Sequence, residues 1–98
     1  MPAVVRRYAD HHVGHSSNSP GPFHKTYYAQ GSPNVFVNHE PVIRKGDPLA
    51  CGDRAQETSP NVYANNILVH RKGDLTSGHG SWPPVPAETG SPNVFANS

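Results

Sequence analysis

Apolar residues occur along this chain in short runs of two or three, and most runs are bounded by proline, glycine or asparagine. The clearest runs lie at residues 35–37, 42–43, 62–64 and 67–69. No stretch of about 11 residues keeps the i, i+3, i+4, i+7 spacing of an amphipathic helix. The pattern predicts short β-strands joined by turns, and therefore an all-β fold in a single domain over residues 1–98.

One short phrase is written three times. It reads GSPNVF at residues 31–36 and 90–95, and TSPNVY at residues 58–63. The similarity extends over two full units, 32–47 and 59–74, whereas the chain starts with only the second half of a unit (VVRRYAD, with Arg7 and Asp10) and ends with only a first half (SPNVFANS). Because internal repeats set the architecture, the sequence predicts three pseudo-threefold repeats around a shared axis, with the two half-units opposite each other.

Each unit is predicted to be a β-hairpin. Ser-Pro favours a turn because proline presets φ at the second turn position. The predicted outgoing strands are 35–37 and 62–64, and the return strands are 41–44 and 67–70. Asn38-His39 and Asn65-Asn66 fit two-residue turns, where asparagine tolerates positive φ. Each return strand then runs into a Lys-Gly-Asp turn. The loops between hairpins differ in length, and threefold packing gathers them at one end.

The composition predicts a thin core that needs a further stabilising element. Only 34% of the residues are apolar, and the chain has 11 prolines and 9 glycines. Small domains of this kind usually depend on a disulfide, a metal or a partner. With one cysteine, an intrachain disulfide is impossible. Seven histidines make a metal the natural candidate.

The variable loops carry the candidate metal ligands. His15 and His79 each follow the aspartate of their unit by five positions, and Cys51 follows its aspartate by four. Threefold packing brings these positions together, and the longest loop also carries His24. Cysteine with three histidines is an acceptable ligand set for zinc, which we expect at one ion per chain.

Other histidines compete for this role or stand apart from it. His11 and His12 are alternatives to His15 as the first ligand, although they follow the aspartate too closely to match the other loops. His39 and His70 fall in the hairpins, where we expect them to be solvated.

We expect the zinc to be structural. Four protein ligands close a tetrahedral shell, whereas catalytic zinc keeps an open position. The nearest acids recur once per unit and pair with arginines at constant spacing, which is typical of turn-stabilising scaffold residues: Arg7 with Asp10, Arg44 with Asp47 and Arg71 with Asp74. We therefore predict no enzyme activity and no catalytic residues. A small zinc hydrolase is the enzyme-class alternative.

Charge and hydropathy limit the classes of binding partner that we expect. The formal net charge is +1 and no basic run exceeds two residues, so a nucleic-acid binder is not expected. The N-terminus lacks the apolar stretch of a signal peptide, and no segment is long enough to span a membrane. We expect synthesis in the cytoplasm, no stable membrane insertion and a monomer.

Three elements of the chain resemble the PAAR-repeat family. PAVVRRYAD, EPVIRKGD and ILVHRKGD are similar to the Pro-Ala-Ala-Arg element and its following Gly-Asp. GSPNVFVN and GSPNVFANS resemble the family's Gly-Ser-Pro-x-Val strand, and SGHGSWPP resembles its Gly-His-Gly-x-Trp-Pro-Pro loop. The resemblance covers essentially the whole chain.

The resemblance implies a small cone of three repeats whose base caps a trimeric β-helical spike, one cone per trimer. It implies an apex pinned by zinc bound to three histidines and one cysteine, here His15, His24, Cys51 and His79. Family members tip the piercing spike of contractile injection machines. A domain with no effector extension is expected at the spike tip of a phage tail baseplate, in the virion. The alternative is a stand-alone tip secreted through a bacterial type VI system. We expect Val35, Val62 and Val94 to contact the spike.

Overall fold

The computed structural model describes residues 2–16, 23–80 and 82–96, so the last two residues of SPNVFANS lie outside the described part. Its regular elements are two hairpins, β1 (Phe36–Val37) with β2 (Glu40–Pro41) and β3 (Tyr63–Ala64) with β4 (Ile67–Leu68). Both pairs are antiparallel, and the described residues form no helix. The described part of the chain thus has no helix long and apolar enough to cross a membrane. The prediction of a small all-β fold is confirmed.

The hairpin turns follow from asparagine chemistry, as predicted. Asn38 and His39 have φ angles of 53° and 71°, and Asn65 and Asn66 have 57° and 63°. Two successive residues with positive φ match the right-handed twist of the flanking strands. His39 is exposed, as expected.

The strands are shorter than predicted because each return segment leaves its own hairpin to pair with other repeats. Val42 forms a bridge with Arg6, Arg44 with Val69, and Val4 with Arg71. The segments 3–7, 41–45 and 68–72 are therefore paired in all three combinations. A long regular strand within one repeat is replaced by short contacts between repeats.

Three backbone hydrogen bonds close these segments into a ring. The Val5 N–H donates to the His70 carbonyl (3.2 Å), the His70 N–H to the Ile43 carbonyl (2.9 Å), and the Ile43 N–H to the Val5 carbonyl (2.9 Å). Each of the three positions donates to one neighbour and accepts from the other. The motif copies thus occupy equivalent places in one closed arrangement.

The serine of each SPN phrase turns the chain into its strand. Ser32, Ser59 and Ser91 are all buried. Their hydroxyl oxygens accept the backbone N–H three residues later, at 2.8, 3.2 and 3.0 Å respectively. A serine side chain that caps its own turn in this way replaces a backbone partner, which explains the recurrence of the phrase.

The arginine–aspartate pairing differs from the prediction in the first unit. Arg44 pairs with Asp47 and Arg71 with Asp74 as expected. Asp10, however, pairs with Arg6 at 2.9 Å, and not with Arg7. The first turn contains one additional residue, which changes the spacing from three to four.

The turn accommodates the additional residue because Tyr8 takes a left-handed φ of 62°. In the other units a glycine holds the positive φ of the Lys-Gly-Asp turn, at 89° for Gly46 and 90° for Gly73. Arg7 is left to pair with Glu40 (3.3 Å) and to lie over the Tyr8 ring, 4.5 Å from its centroid. The assignment of Arg7 to Asp10 was therefore wrong.

Two small apolar clusters form the core. The first consists of Val4, Val37, Val42, Ala64, Val69 and Ala96. The second consists of Val5, Tyr28, Ile43, Leu49, Ala55 and Ala87, with Cys51 packed against it. Valine and alanine provide most of these side chains, which agrees with the thin core predicted from composition.

His70 belongs to this interior, which corrects the expectation that it is solvated. Its side chain is fully buried, at the ring position that Val5 and Ile43 occupy in the other repeats. Its Nδ1 lies 2.6 Å from the Glu57 carbonyl and its Nε2 lies 2.8 Å from the Tyr28 hydroxyl. The carbonyl requires a proton on Nδ1, so the Tyr28 O–H donates to Nε2. Both ring nitrogens are paired, which makes burial tolerable.

Candidate metal centre

The four predicted ligand residues of the variable loops lie together in the structure. His15, His24, Cys51 and His79 place their ligand atoms within 4.8 Å of one another. His15 is buried and the other three are half-buried. Four residues from three separate loops thus form one cluster that could hold a metal ion.

His15 and His24 are positioned as a directly opposed pair. Their backbones exchange two hydrogen bonds, of 3.0 and 3.1 Å, as in an antiparallel bridge. Gly14, which precedes His15, has a φ of 92°, and a side chain there would overlap the Phe23 ring. A glycine is therefore required next to the first ligand.

His79 is held in a tight turn closed by Trp82. The two residues exchange backbone hydrogen bonds of 3.0 and 2.8 Å, and their rings stack with centroids 5.1 Å apart at 8°. Gly78 has a φ of 76°, and a Cβ there would lie 2.8 Å from the Trp82 carbonyl oxygen. The Trp82 ring also lies 5.0 Å from that of His24. The indole therefore covers two of the four side chains.

Cys51 sits in a compact turn anchored to the core. The Gly52 N–H donates to the Leu49 carbonyl (3.1 Å), and the Leu49 N–H donates to the Asp53 carbonyl (2.8 Å). Leu49 is buried in the second core cluster, against which Cys51 packs. The turn thereby holds the thiol against the core.

The three histidines present the same nitrogen to one point. His15 Nε2 lies 2.7 Å from His24 Nε2 and 3.2 Å from His79 Nε2, and the His24 and His79 atoms are 3.1 Å apart. A neutral imidazole nitrogen either donates or accepts, so at least one of these contacts sets two lone pairs or two N–H groups against each other. A bound cation removes the conflict, because all three nitrogens can then present lone pairs.

Two further features favour the metal-binding states of His15 and His24. The Nδ1 of His15 lies 2.8 Å from the Pro83 carbonyl oxygen, so Nδ1 carries the proton and Nε2 the lone pair. Burial lowers the pKa of His24, and the neighbouring His15 and His79 lower it further. The neutral form that binds a metal is favoured.

The alternative first ligands lie elsewhere. His11 is half-buried, with Nδ1 3.2 Å from the Glu88 carboxylate. His12 is fully buried, and its Nε2 accepts the Thr26 N–H at 2.9 Å. His12 belongs to a second group with His15 and Asp53, which sequence reasoning did not single out. Only the position of Asp53, two residues after Cys51, could have suggested it.

The carboxylates repeated in each unit belong to the scaffold. Asp47 and Asp74 accept from the side chains of Arg44 and Arg71, as predicted from their spacing. Asp10 is fully buried against Arg6. Each of these acids also accepts its arginine's own backbone N–H, so it closes a turn.

Comparison with known proteins gives no relative from which a role for the site could be taken, so we interpret the site from its geometry. The chain matches no family model, and no curated protein matches it in sequence.

Proposed function

We propose that this protein is a structural spike tip of the PAAR-repeat type. It is a small cone of three pseudo-threefold β-hairpin repeats whose apex is pinned by one zinc ion. Its base caps a trimeric β-helical spike of a contractile injection machine, such as a phage baseplate, and sharpens the spike for piercing an envelope. The observation that carries the proposal is the closed hydrogen-bond ring of Val5, Ile43 and His70, together with loops that converge on one ligand cluster.

The ring supports the threefold geometry. A single chain that repeats the same backbone contact three times offers an approximately threefold surface to a partner. Such a surface can meet three identical chains at once, one repeat to each, without being a trimer itself. The shape is consistent with this role, since the principal extents are 38, 23 and 22 Å, with one long axis and two nearly equal short ones.

The donor set supports zinc as the metal. A thiolate and three imidazoles suit zinc better than the hard cations calcium or magnesium, which prefer oxygen ligands. We assign His15, His24, Cys51 and His79 as ligands. Four protein ligands complete a tetrahedral shell, so the ion would stabilise the converging loops and not activate a water molecule.

Exposed aromatic rings mark the surface proposed to meet the spike. Phe36, Tyr63 and Phe95 are the sixth residues of the three repeated phrases, and they are 56%, 59% and 49% exposed. Because these rings stand at equivalent positions of the three repeats, each chain of a threefold partner can cover one of them in the same way. Burial of such rings contributes most of the binding energy in many interfaces.

The predicted valine contacts fit this surface in part. Val35 and Val94 are 38% and 37% exposed, so both are available to a partner. Val62 is half-buried and packs against the first core cluster. We assign Val35 and Val94, with the neighbouring aromatic rings, to the spike-binding surface.

Stoichiometry tests the capping geometry. Purified protein is mixed with a trimeric β-helical spike fragment, and the complex mass is measured by sedimentation or native mass spectrometry. The expected ratio is one chain of this protein to three spike chains; three to three would overturn the proposal. Phe36→Ser should weaken binding, whereas Tyr8→Ser, which removes a ring of equal exposure from another turn, should not.

The same geometry would serve a type VI spike. Side-by-side affinities for a phage tail spike and a type VI spike assign the machine, with tighter binding to the phage spike expected.

A further inference from the structure

Asp53 is a buried carboxylate with one unpartnered oxygen. The side chain is fully buried. Its Oδ1 accepts the Arg54 backbone N–H at 2.8 Å and the Ser77 hydroxyl at 3.3 Å. Its Oδ2 is buried and has no hydrogen-bond partner among the described residues. A buried carboxylate oxygen without a partner is costly, so something must compensate for its charge.

No neighbouring side chain in the described part of the chain supplies that compensation. Asp53 forms no ion pair there, and the Arg54 side chain reaches away to the Gly46 carbonyl at 2.8 Å. His12 and His15 lie close to it, since the ligand atoms of these two histidines and of Asp53 are within 4.8 Å of one another.

The missing charge is present once the proposed metal is bound. A divalent ion with one thiolate and three neutral imidazoles has a net charge of +1. Asp53 brings −1 to the same buried region, because it lies next to His15, one of the proposed ligands. The sum is zero, and an electrically neutral group is the state that a poorly solvated interior favours.

We propose that Asp53 is the charge-balancing and positioning residue of the metal centre. This inference rests on the metal site of the proposed function. Asp53 stands two residues after Cys51, and its Oδ1 holds Ser77, two residues before His79. It therefore also ties together the loops that supply two of the ligands. Partners behind the ligands commonly alter metal affinity by about 10–100-fold.

The Asp53 charge should destabilise the metal-free protein and stabilise the zinc-bound protein, so Asp53→Asn should affect the two states in opposite directions. In the metal-free protein the substitution removes an uncompensated buried charge and should raise the melting temperature. In the zinc-bound protein it removes the balancing charge and should lower zinc affinity by about 10–100-fold. A purely structural role for Asp53 predicts lower stability in both states.

The experiment measures zinc affinity by competition with a chromophoric chelator, and melting curves with and without a strong chelator. Glu40→Gln is the control, since it removes one negative charge from β2, outside the cluster. Ser77→Ala isolates the positioning role, because it removes a hydrogen bond to Oδ1 and leaves the charge, so it should lose less zinc affinity than Asp53→Asn. Glu40→Gln should retain zinc affinity within about threefold, below the 10–100-fold loss expected for Asp53→Asn.

Ion charge gives an independent check. With one thiolate bound, the centre carries +1 with Zn²⁺ or Co²⁺ and zero with Ag⁺, so Ag⁺ leaves no excess charge for Asp53 to balance. The loss of affinity in Asp53→Asn should therefore be clearly smaller for Ag⁺ than for Zn²⁺ or Co²⁺, and an equal loss would overturn the charge-balancing role.

The outcomes separate this inference from the proposed function. Wild-type protein that binds no zinc overturns the metal centre and this inference together. Wild-type protein that binds zinc while Asp53→Asn binds it equally well overturns the inference alone. Lower melting temperatures of Asp53→Asn both with and without metal, by equal amounts, also overturn it.

Discussion

Replacing Cys51 with serine tests whether the thiolate is one of four metal ligands. Serine has nearly the same size, so the change removes the sulfur donor with little loss of volume. Structural zinc in small domains contributes roughly 10–16 kcal/mol of apparent folding free energy. A quarter share for each of the four clustered side chains gives about 2.5–4 kcal/mol for Cys51.

That loss would be conspicuous in a domain of this size. Small domains are typically stable by only about 5–15 kcal/mol. At roughly 4–8 °C per kcal/mol, the melting temperature of Cys51→Ser should fall by about 10–30 °C. Thermal unfolding followed by circular dichroism, with metal content determined on the same samples, measures the effect.

Chelation separates coordination from packing. Cys51 also packs against the second core cluster, so part of any loss could arise without metal. After zinc removal, wild type and Cys51→Ser should melt within a few degrees of each other. An equal difference with and without zinc, or an unchanged melting temperature with zinc, would refute the role of Cys51 as a ligand. His39→Asn is the matched control, because His39 is exposed in a positive-φ turn outside the cluster and should be indifferent.

Three further predictions address the scaffold. Arg6→Ala should lower the free energy of unfolding by about 3–5 kcal/mol, because it leaves the buried Asp10 carboxylate without its ion-pair partner. Arg7→Ala should lower it by about 0–1 kcal/mol. Equal losses in chemical denaturation would contradict the assigned pairing. His70→Val should cost about 1–3 kcal/mol by leaving the Tyr28 hydroxyl unpaired, and adding Tyr28→Phe should recover part of that loss; an additive double-mutant cycle would argue against the hydrogen bond. Burial lowers the pKa of His70, so the unfolded chain binds the proton more readily than the folded protein does. The free energy of unfolding of the wild type should therefore be highest above about pH 6.5 and should fall as the pH drops through that value. Urea unfolding at pH 7.5 and 5.5 should show a smaller fall for the variant that carries both His70→Val and Tyr28→Phe.

The buried His70–Tyr28 hydrogen bond distinguishes one repeat from the other two. At the equivalent positions Val5 and Ile43 are aliphatic and belong to the second core cluster. A fully paired polar contact among apolar neighbours specifies a single arrangement of three otherwise similar repeats. Such specificity is useful where a repeated sequence could pair in more than one register.

The local structure was largely determined by sequence. Asn38-His39 and Asn65-Asn66 form the predicted turns because few other residues accept positive φ at two successive positions. The serines of the repeated phrase cap their own turns through short-range contacts. These features depend on residues within four positions of each other, so no knowledge of the fold was needed.

The clustering of His15, Cys51 and His79 was also accessible from sequence, because similar spacing from the aspartate of each repeat implies equivalent positions in space. His24 was added as a second ligand from the longest loop. The periodicity carried information that a lone histidine or cysteine does not. The choice of His15 over His11 and His12 depended on the same register.

Tertiary structure alone decided the remaining features. Arg6, and not Arg7, reaches Asp10 because Tyr8 takes a left-handed conformation that no local rule demands. His70 is buried because distant residues, Tyr28 among them, satisfy both of its nitrogens. Asp53 stands against His12 and His15 only after separate loops converge. Burial and charge compensation are properties of the packed chain, so they depend on contacts between residues far apart in sequence.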